Sequence, residues 1–134
     1  MKPVLIGVAT LLAAFGAITW WALESGGVAV IETRTADDSV RFTHVWYTEP
    51  NGELWLEAGT PGNGWFIDVQ ENPDVRFEAN GQSAPYIARP VEELSGHDRI
   101  RSLIRAKYGF RDRWVGLVVD TSRSVAVRLL PAEE

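Results

Sequence analysis

The pattern of apolar and polar residues begins with one long apolar run, from Pro3 to Leu23. The run contains no charged side chain, and its only hydroxyl groups are those of Thr10 and Thr19. A helix rises about 1.5 Å per residue, so this run can cross a hydrocarbon core of roughly 30 Å. Trp20 and Trp21 lie at its end, where interfacial aromatic residues are common. The sequence therefore predicts one transmembrane helix that holds the chain to a lipid bilayer through residues 3–23.

A cleaved signal peptide is the alternative interpretation of the same run. The run is longer than the apolar region of about 7–15 residues in such a peptide, and no A-x-A cleavage site follows it. The sequence therefore favours a retained anchor, residues 1–24, and a globular domain, residues 25–134. Lys2 and the short N-terminal tail favour a single-pass membrane protein whose domain is extracytoplasmic, because cationic flanks tend to stay inside.

Beyond residue 25 the pattern is typical of short strands joined by tight turns. Two Asn-Gly pairs, Asn51-Gly52 and Asn80-Gly81, are strong signals for β-hairpins. Runs of β-branched and aromatic residues, several of them alternating with polar ones, predict strands. These predicted strands cover 28–35, 40–48, 54–58, 75–79, 82–89 and 124–130.

Two helices interrupt the strands. The first is predicted at 65–71 and ends at Asn72-Pro73, because a residue before proline avoids helical geometry. The second is predicted to begin at Ser95, with Asp98 in capping-box spacing, and to end at Gly109. The apolar run 114–119 fits a helix or a strand equally well. The expected fold is mainly β or α+β: an antiparallel barrel with two or three peripheral helices, preceded by one transmembrane helix.

Composition narrows the range of functions. The net charge of -5 makes a generic nucleic-acid binder an unsuitable interpretation. The absence of cysteine excludes a thiol nucleophile and cysteine metal sites, and we expect no metal. No established catalytic motif is present. His44 shares a strand face with Phe42 and Trp46 and is interpreted as a hydrogen-bonded wall residue, while His97 is expected to be solvated.

Two segments are candidates for ligand binding. The glycine-rich loop 59–64 leads into the predicted helix at 65–71, and such a helix N-terminus attracts phosphate through its N–H groups and dipole. A connection without a ligand is the simpler interpretation of the loop alone. Six basic residues also crowd into 99–113, where they could meet anionic groups, although pairing with Glu92, Glu93 and Asp112 on a solvated face is favoured.

The stretch 45–92 resembles the deazaflavin-dependent nitroreductase family of the flavin-binding split-barrel superfamily, which includes pyridoxamine phosphate oxidase-like proteins. The resemblance lies in a strand, a loop of small residues, an aromatic-led helix ending in Asn-Pro, and a strand with a glycine hairpin. In this chain these are 54–59, 60–64, 65–71, Asn72-Pro73 and 75–81. The segments 107–112 and 124–131 are also similar to the family, so the likeness covers nearly all of 28–131.

The resemblance implies a split β-barrel that binds FMN or a deazaflavin coenzyme and transfers hydride to a quinone or a nitro compound. It also implies a homodimer by analogy. The family's cofactor positions match one strand and the glycine loop of this chain. They are Thr43, Trp46, Gly59, Thr60, Gly62, Asn63, Gly64 and Trp65.

One departure from the family bears on the cofactor. Where the family has a basic turn that holds phosphates, this chain has Asp37 and Asp38, with only Arg34 and Arg41 nearby. Two carboxylates would repel a phosphate. Two functions therefore stay open. The first is a membrane-anchored flavin- or deazaflavin-dependent oxidoreductase with a membrane-soluble acceptor such as a quinone. The second is a non-catalytic, membrane-tethered binding module that has lost the cofactor.

Overall fold

The computed structural model describes residues 2–132, in which six antiparallel strands form a closed barrel. The strands are β1 (Val28–Arg34), β2 (Val40–Thr48), β3 (Leu54–Ala58), β4 (Asp74–Ala79), β5 (Gln82–Val91) and β6 (Val125–Pro131). Around the barrel they follow the order β1-β2-β3-β6-β5-β4. The helices are α1 (Lys2–Glu24), α2 (Gly64–Glu71), α3 (Leu94–Tyr108) and α4 (Phe110–Gly116). The predicted fold class is confirmed.

Both Asn-Gly pairs form the hairpin turns that the sequence predicts. Asn51 and Gly52 have φ values of 55° and 79° at the β2–β3 turn. Asn80 and Gly81 have φ values of 54° and 76° at the β4–β5 turn. Two successive residues with positive φ match the right-handed twist of the flanking strands, and asparagine and glycine accept this geometry at the lowest cost.

The barrel is filled by alternate strand residues and by one face of α2. Trp65, Phe66 and Val69 of α2 are all nearly inaccessible and pack into the main core. A second cluster lies outside the barrel wall, where Ile100 and Ile104 of α3 cover Trp55. As a result β3 is buried on both faces, and α2 serves as part of the core rather than as a peripheral helix.

Two local expectations need correction, and one segment that the sequence left open is assigned. The helix α3 begins at Leu94 after Glu93, and no side chain caps it, so Ser95 is not the N-cap. The imidazole of His97 is half-buried, with Nδ1 2.8 Å from the carbonyl oxygen of Ser124, and it is therefore not simply solvated. The ambiguous run 114–119 begins as the end of α4 and continues as turn.

The long apolar helix α1 extends from the domain and packs against it only near its C-terminal end. Its mean hydropathy is 1.9 over the most apolar window, and this window is not buried by the rest of the chain. Ala22, by contrast, is fully buried against the domain. The helix is long and apolar enough to cross a membrane, a property that signal sequences share.

Candidate functional site

A cleft opens in the barrel wall where β2 and β3 separate. These strands pair only at Tyr47–Leu56 and Thr48–Trp55, whereas β2 pairs with β1 from Trp46 back to Val40. The hydroxyl of Tyr108 lies at the point of separation, where it accepts the N–H of Tyr47 at 3.1 Å. The opening has a volume of about 550 Å³, which is within the range of small-molecule sites.

Most of the residues that the sequence predicts for a cofactor line this cleft. They are Thr43, Trp46, Gly59, Asn63, Gly64 and Trp65. Thr60 and Gly62 instead shape the loop. The carbonyl oxygen of Thr60 accepts the N–H of Asn63 at 3.1 Å, and the hydroxyl oxygen of Thr60 accepts the N–H of Gly62 at 3.4 Å. The structure therefore brings six of the eight predicted positions to one opening, and the other two support it.

One end of the cleft is built around Arg41, which points inward from β2. Its Nε donates to Oδ2 of Asp68 at 2.8 Å, and the same oxygen accepts the hydroxyl of Thr33 at 2.7 Å. Asp68 is only 5 % exposed, so Arg41 is held at the Nε edge while the rest of its guanidinium stays accessible. A β-carbon on Gly64 would lie 2.6 Å from Nη1 of Arg41. Glycine at this position therefore makes room for the guanidinium.

This arrangement places two positive features together. Gly64 is the first residue of α2, and the side chain of Asn63 makes no capping hydrogen bond to the first turn. The N–H groups of that turn and the helix dipole create partial positive charge beside Arg41. An anion located there would receive hydrogen bonds from the backbone and from a fixed guanidinium.

The other end of the cleft adjoins the C-terminal end of α1. Leu23 and Glu24 line it, and Nδ1 of His44 lies 3.0 Å from Oε2 of Glu24. Trp46 donates its indole N–H to the carbonyl of Leu23 at 2.8 Å and stacks on Tyr108, with ring centres 4.1 Å apart. Trp46 therefore borders the cleft with one ring face already covered.

A buried charge cluster forms the wall behind the cleft. Arg101 of α3 donates to both oxygens of Glu57 at 2.8 Å and to both oxygens of Asp112 at 2.6–2.7 Å. Burial opposes the charge of Arg101, but the hydrogen bonds from its guanidinium to Asp112 and Glu57 outweigh burial and raise its pKa. This network joins β3, α3 and α4, and both carboxylates reach the cleft.

The acidic β1–β2 turn lies apart from this opening. Asp37 accepts hydrogen bonds from Thr35 and Ser39, which lower its pKa, and Asp38 forms an exposed pair with Arg34 at 3.4 Å. Neither aspartate lines the cleft. Of the two arginines near the turn, only Arg41 reaches the cleft, and it provides the positive charge that the turn lacks.

The residues of this cleft would suit a flavin or deazaflavin, with its phosphate at one end and Thr43, Trp46 and Val115 among the residues that line the rest. The phosphate end offers Arg41 and the first turn of α2. Beyond it the lining includes the apolar side chains of Val45, Val115 and Val119, together with the carboxylates of Glu57 and Asp112 that Arg101 neutralises. Aromatic and aliphatic walls with few placed polar groups are typical of cofactor sites.

Most of the basic residues between 99 and 113 have partners within the chain. Arg101 pairs with Asp112, Arg99 lies near Glu53 at 3.9 Å, and Lys107 donates to the Tyr47 carbonyl at 2.7 Å. Burial lowers the pKa of Lys107. The predicted pairing with Asp112 is present, but the pair is buried and not on a solvated face as expected. Glu92 instead accepts a hydrogen bond from Gln70.

Several cleft residues were missed by sequence reasoning. Arg41 could have been found, since it shares the inward face of β2 with Thr43 and Val45 at a spacing of two. Glu57, Asp112 and Val119 carry no local signal, because they meet only after α3 and α4 fold against the barrel.

Comparison with known proteins confirms the fold. A crystal structure of a conserved hypothetical protein from Mycobacterium tuberculosis is 20% identical, with a TM-score of 0.64 over 88% of this chain and 80% of that one. An F420-H2 dependent reductase is 20% identical, with a TM-score of 0.56 over 75% and 92%. A structure described as a domain-swapped dimer is 19% identical, with a TM-score of 0.58 over 75% and 78%.

No family model matches the sequence, and no curated protein matches it. The similarity to solved structures therefore concerns the fold. It confirms the split β-barrel fold that the resemblance implied.

Proposed function

Because the fold is the split barrel of flavin- and deazaflavin-binding proteins, we propose that this chain is a membrane-anchored oxidoreductase that uses a deazaflavin coenzyme or FMN. The observation that carries the proposal is the cleft between β2 and β3, with Arg41 and the start of α2 at one end. That end provides anion-binding groups. The remainder combines apolar walls with the Arg101-paired carboxylates of Glu57 and Asp112.

In this proposal the residues of the chain bind and orient the cofactor and the acceptor. The cofactor, when bound, would supply the hydride that is transferred to the acceptor. Arg41 and the N–H groups at Gly64 and Trp65 hold a phosphate, while Asp68 keeps the guanidinium in place. The buried side chain of Val115 excludes water from one wall. His44, which is hydrogen-bonded to Glu24 at the opposite end, is positioned to move a proton to an acceptor.

The acceptor is proposed to be a small hydrophobic molecule, either a quinone or a nitro compound. The cleft supports this, since its second end is formed by Leu23 and Glu24 of the apolar helix α1. A retained anchor would keep this end of the cleft close to the bilayer. The domain is proposed to lie on the extracytoplasmic side, and a homodimer is supported by the domain-swapped dimer among similar structures.

Ligand titration tests the proposed cofactor. The purified full chain in detergent should bind F420 or FMN with micromolar affinity, seen as a shift of the ligand's absorption and quenching of tryptophan fluorescence from Trp46 and Trp65. Haem serves as a control that should not bind. If neither F420 nor FMN binds, the oxidoreductase proposal is wrong. The second candidate, a membrane-tethered binding module, then remains, and the altered β1–β2 turn favours it.

Fractionation tests the anchor. The full chain should stay with membranes through carbonate extraction, because residues 3–23 present an uninterrupted apolar surface. A version starting at Ser25 should be released, with folding checked by circular dichroism since it loses the Trp46–Leu23 contact. Isolation of a natural mature form cut near Ser25 would contradict the retained anchor.

A further inference from the structure

The helix α4 lies against the part of α1 that would be inside the bilayer. Trp114 donates its indole N–H to the hydroxyl of Thr19 at 2.8 Å, and its ring lies 5.5 Å from that of Phe15. Thr19 and Phe15 precede Glu24 by five and nine residues, which corresponds to about 7.5 Å and 13.5 Å of helix. If Glu24 marks the membrane surface, Trp114 lies below it.

The surface next to this contact is apolar and uncovered. Phe110, Leu117, Val118 and Val119 are exposed by 59%, 77%, 47% and 43%. We call them the α4 patch. Phe110 contacts Trp114, which packs on Phe15 of α1, and Val119 lines the same cleft as Leu23 of α1, so the patch adjoins the apolar surface of that helix. Exposed apolar residues that adjoin one another usually mark a binding surface.

Basic side chains border this patch in the way expected at a membrane interface. Arg111 donates to the hydroxyl of Ser25 at 2.7 Å, and its guanidinium lies 4.5 Å from the ring centre of Trp21. Arg113 is exposed on the same helix. An apolar face with tryptophan and arginine at its edge is typical of helices that lie in the headgroup region.

We infer that α4 and residues 117–119 form a second membrane contact, which inserts into the interfacial region beside α1. This inference rests on the proposed anchoring of α1. It deepens the proposed function, because Val115 and Val119 also line the cleft. The cleft then opens at the level of the lipid headgroups, and an acceptor dissolved in the bilayer reaches it without crossing water.

Site-specific labelling tests this inference directly, because the chain contains no cysteine. Leu117→Cys and Val118→Cys in the full chain are labelled with an environment-sensitive fluorophore and reconstituted into vesicles of phosphatidylcholine and phosphatidylglycerol. Leu94→Cys is the matched control, because Leu94 is 74% exposed but lies far from the anchor. It is the first residue of α3, whereas the last residue of that helix, Tyr108, is the one that bonds to Gly27 beside the anchor.

Nitroxides near the top of the lipid chains should quench the labels at 117 and 118 several-fold more strongly than the label at 94. Aqueous iodide should show the opposite order. Equal quenching at all three positions would overturn the inference. Protection from both quenchers that increases with protein density would also overturn it, because it would indicate that a second copy of the chain covers the patch. Flotation of the same vesicles separates the two proposals: a chain that does not float disproves the anchor, whereas a chain that floats with water-exposed labels disproves the α4 contact alone.

Discussion

Replacing Arg101 by methionine should destabilise the domain by about 3–5 kcal/mol at neutral pH, because two carboxylates would stay buried without their cation. Arg101 bonds to all four oxygens of Glu57 and Asp112, and all three side chains are at most 10 % exposed. The free energy of unfolding is measured by denaturant titration of the full chain in detergent, with tryptophan fluorescence as the signal. Arg105→Met on the exposed side of the same helix is the control and should change stability by no more than about 0.5 kcal/mol.

The pH dependence of stability tests whether unpaired buried charge causes the loss of stability in Arg101→Met. In the Arg101→Met variant the folded state should take up protons on Glu57 and Asp112 more readily than the unfolded state does. Stability relative to the native protein should therefore recover as the pH falls. Adding Glu57→Gln and Asp112→Asn to Arg101→Met should restore part of the loss at neutral pH. A loss that is the same at every pH, and is not relieved by the neutral pair, would mean that Arg101 acts through packing alone.

Replacing Arg41 by glutamine should weaken binding of a phosphate-bearing cofactor by about 10- to 150-fold, because the loss of one charge-assisted hydrogen bond costs about 1.5–3 kcal/mol. Glutamine retains an N–H donor for Asp68, so the buried carboxylate keeps a partner. The measurement is a fluorescence titration at two salt concentrations, since the dependence of affinity on salt should also decrease.

Two companion variants make this prediction specific. Arg34→Gln removes the other nearby arginine, which pairs with Asp38 away from the cleft, and should leave affinity unchanged. Gly64→Ala keeps Arg41 but adds a β-carbon 2.6 Å from its Nη1, so it should displace the guanidinium and weaken binding as well. Gly64 is the first residue of α2 and has no positive φ, so alanine causes no backbone strain there. Equal affinity in Arg41→Gln and the native chain would place the phosphate elsewhere.

Local chemistry made the strands, the hairpins and the apolar helix predictable. Asn51-Gly52 and Asn80-Gly81 determine their turns because both residues of each pair accept positive φ at low cost. Once these turns are placed, the alternation of side chains along each strand decides which of them face inward. The predicted bounds of β2 and β3 agree with the structure. The predicted start of α3 was wrong, because the first turn forms two residues earlier, where the Glu93 carbonyl accepts the N–H groups of Gly96 and His97 and no side chain caps the helix.

The sequence alone determined an apolar helix followed by an antiparallel barrel with a glycine loop, because these depend on neighbours within a few residues. Only the tertiary structure decided where β2 leaves β3, and therefore where the cleft opens. It also decided that Arg41 rather than the β1–β2 turn supplies the positive charge, since Asp68 and Thr33 come from other elements. The Arg101 network and the contact of Trp114 with Thr19 join residues 11 to 95 positions apart. Such contacts depend on how helices pack on the barrel, which no local pattern records.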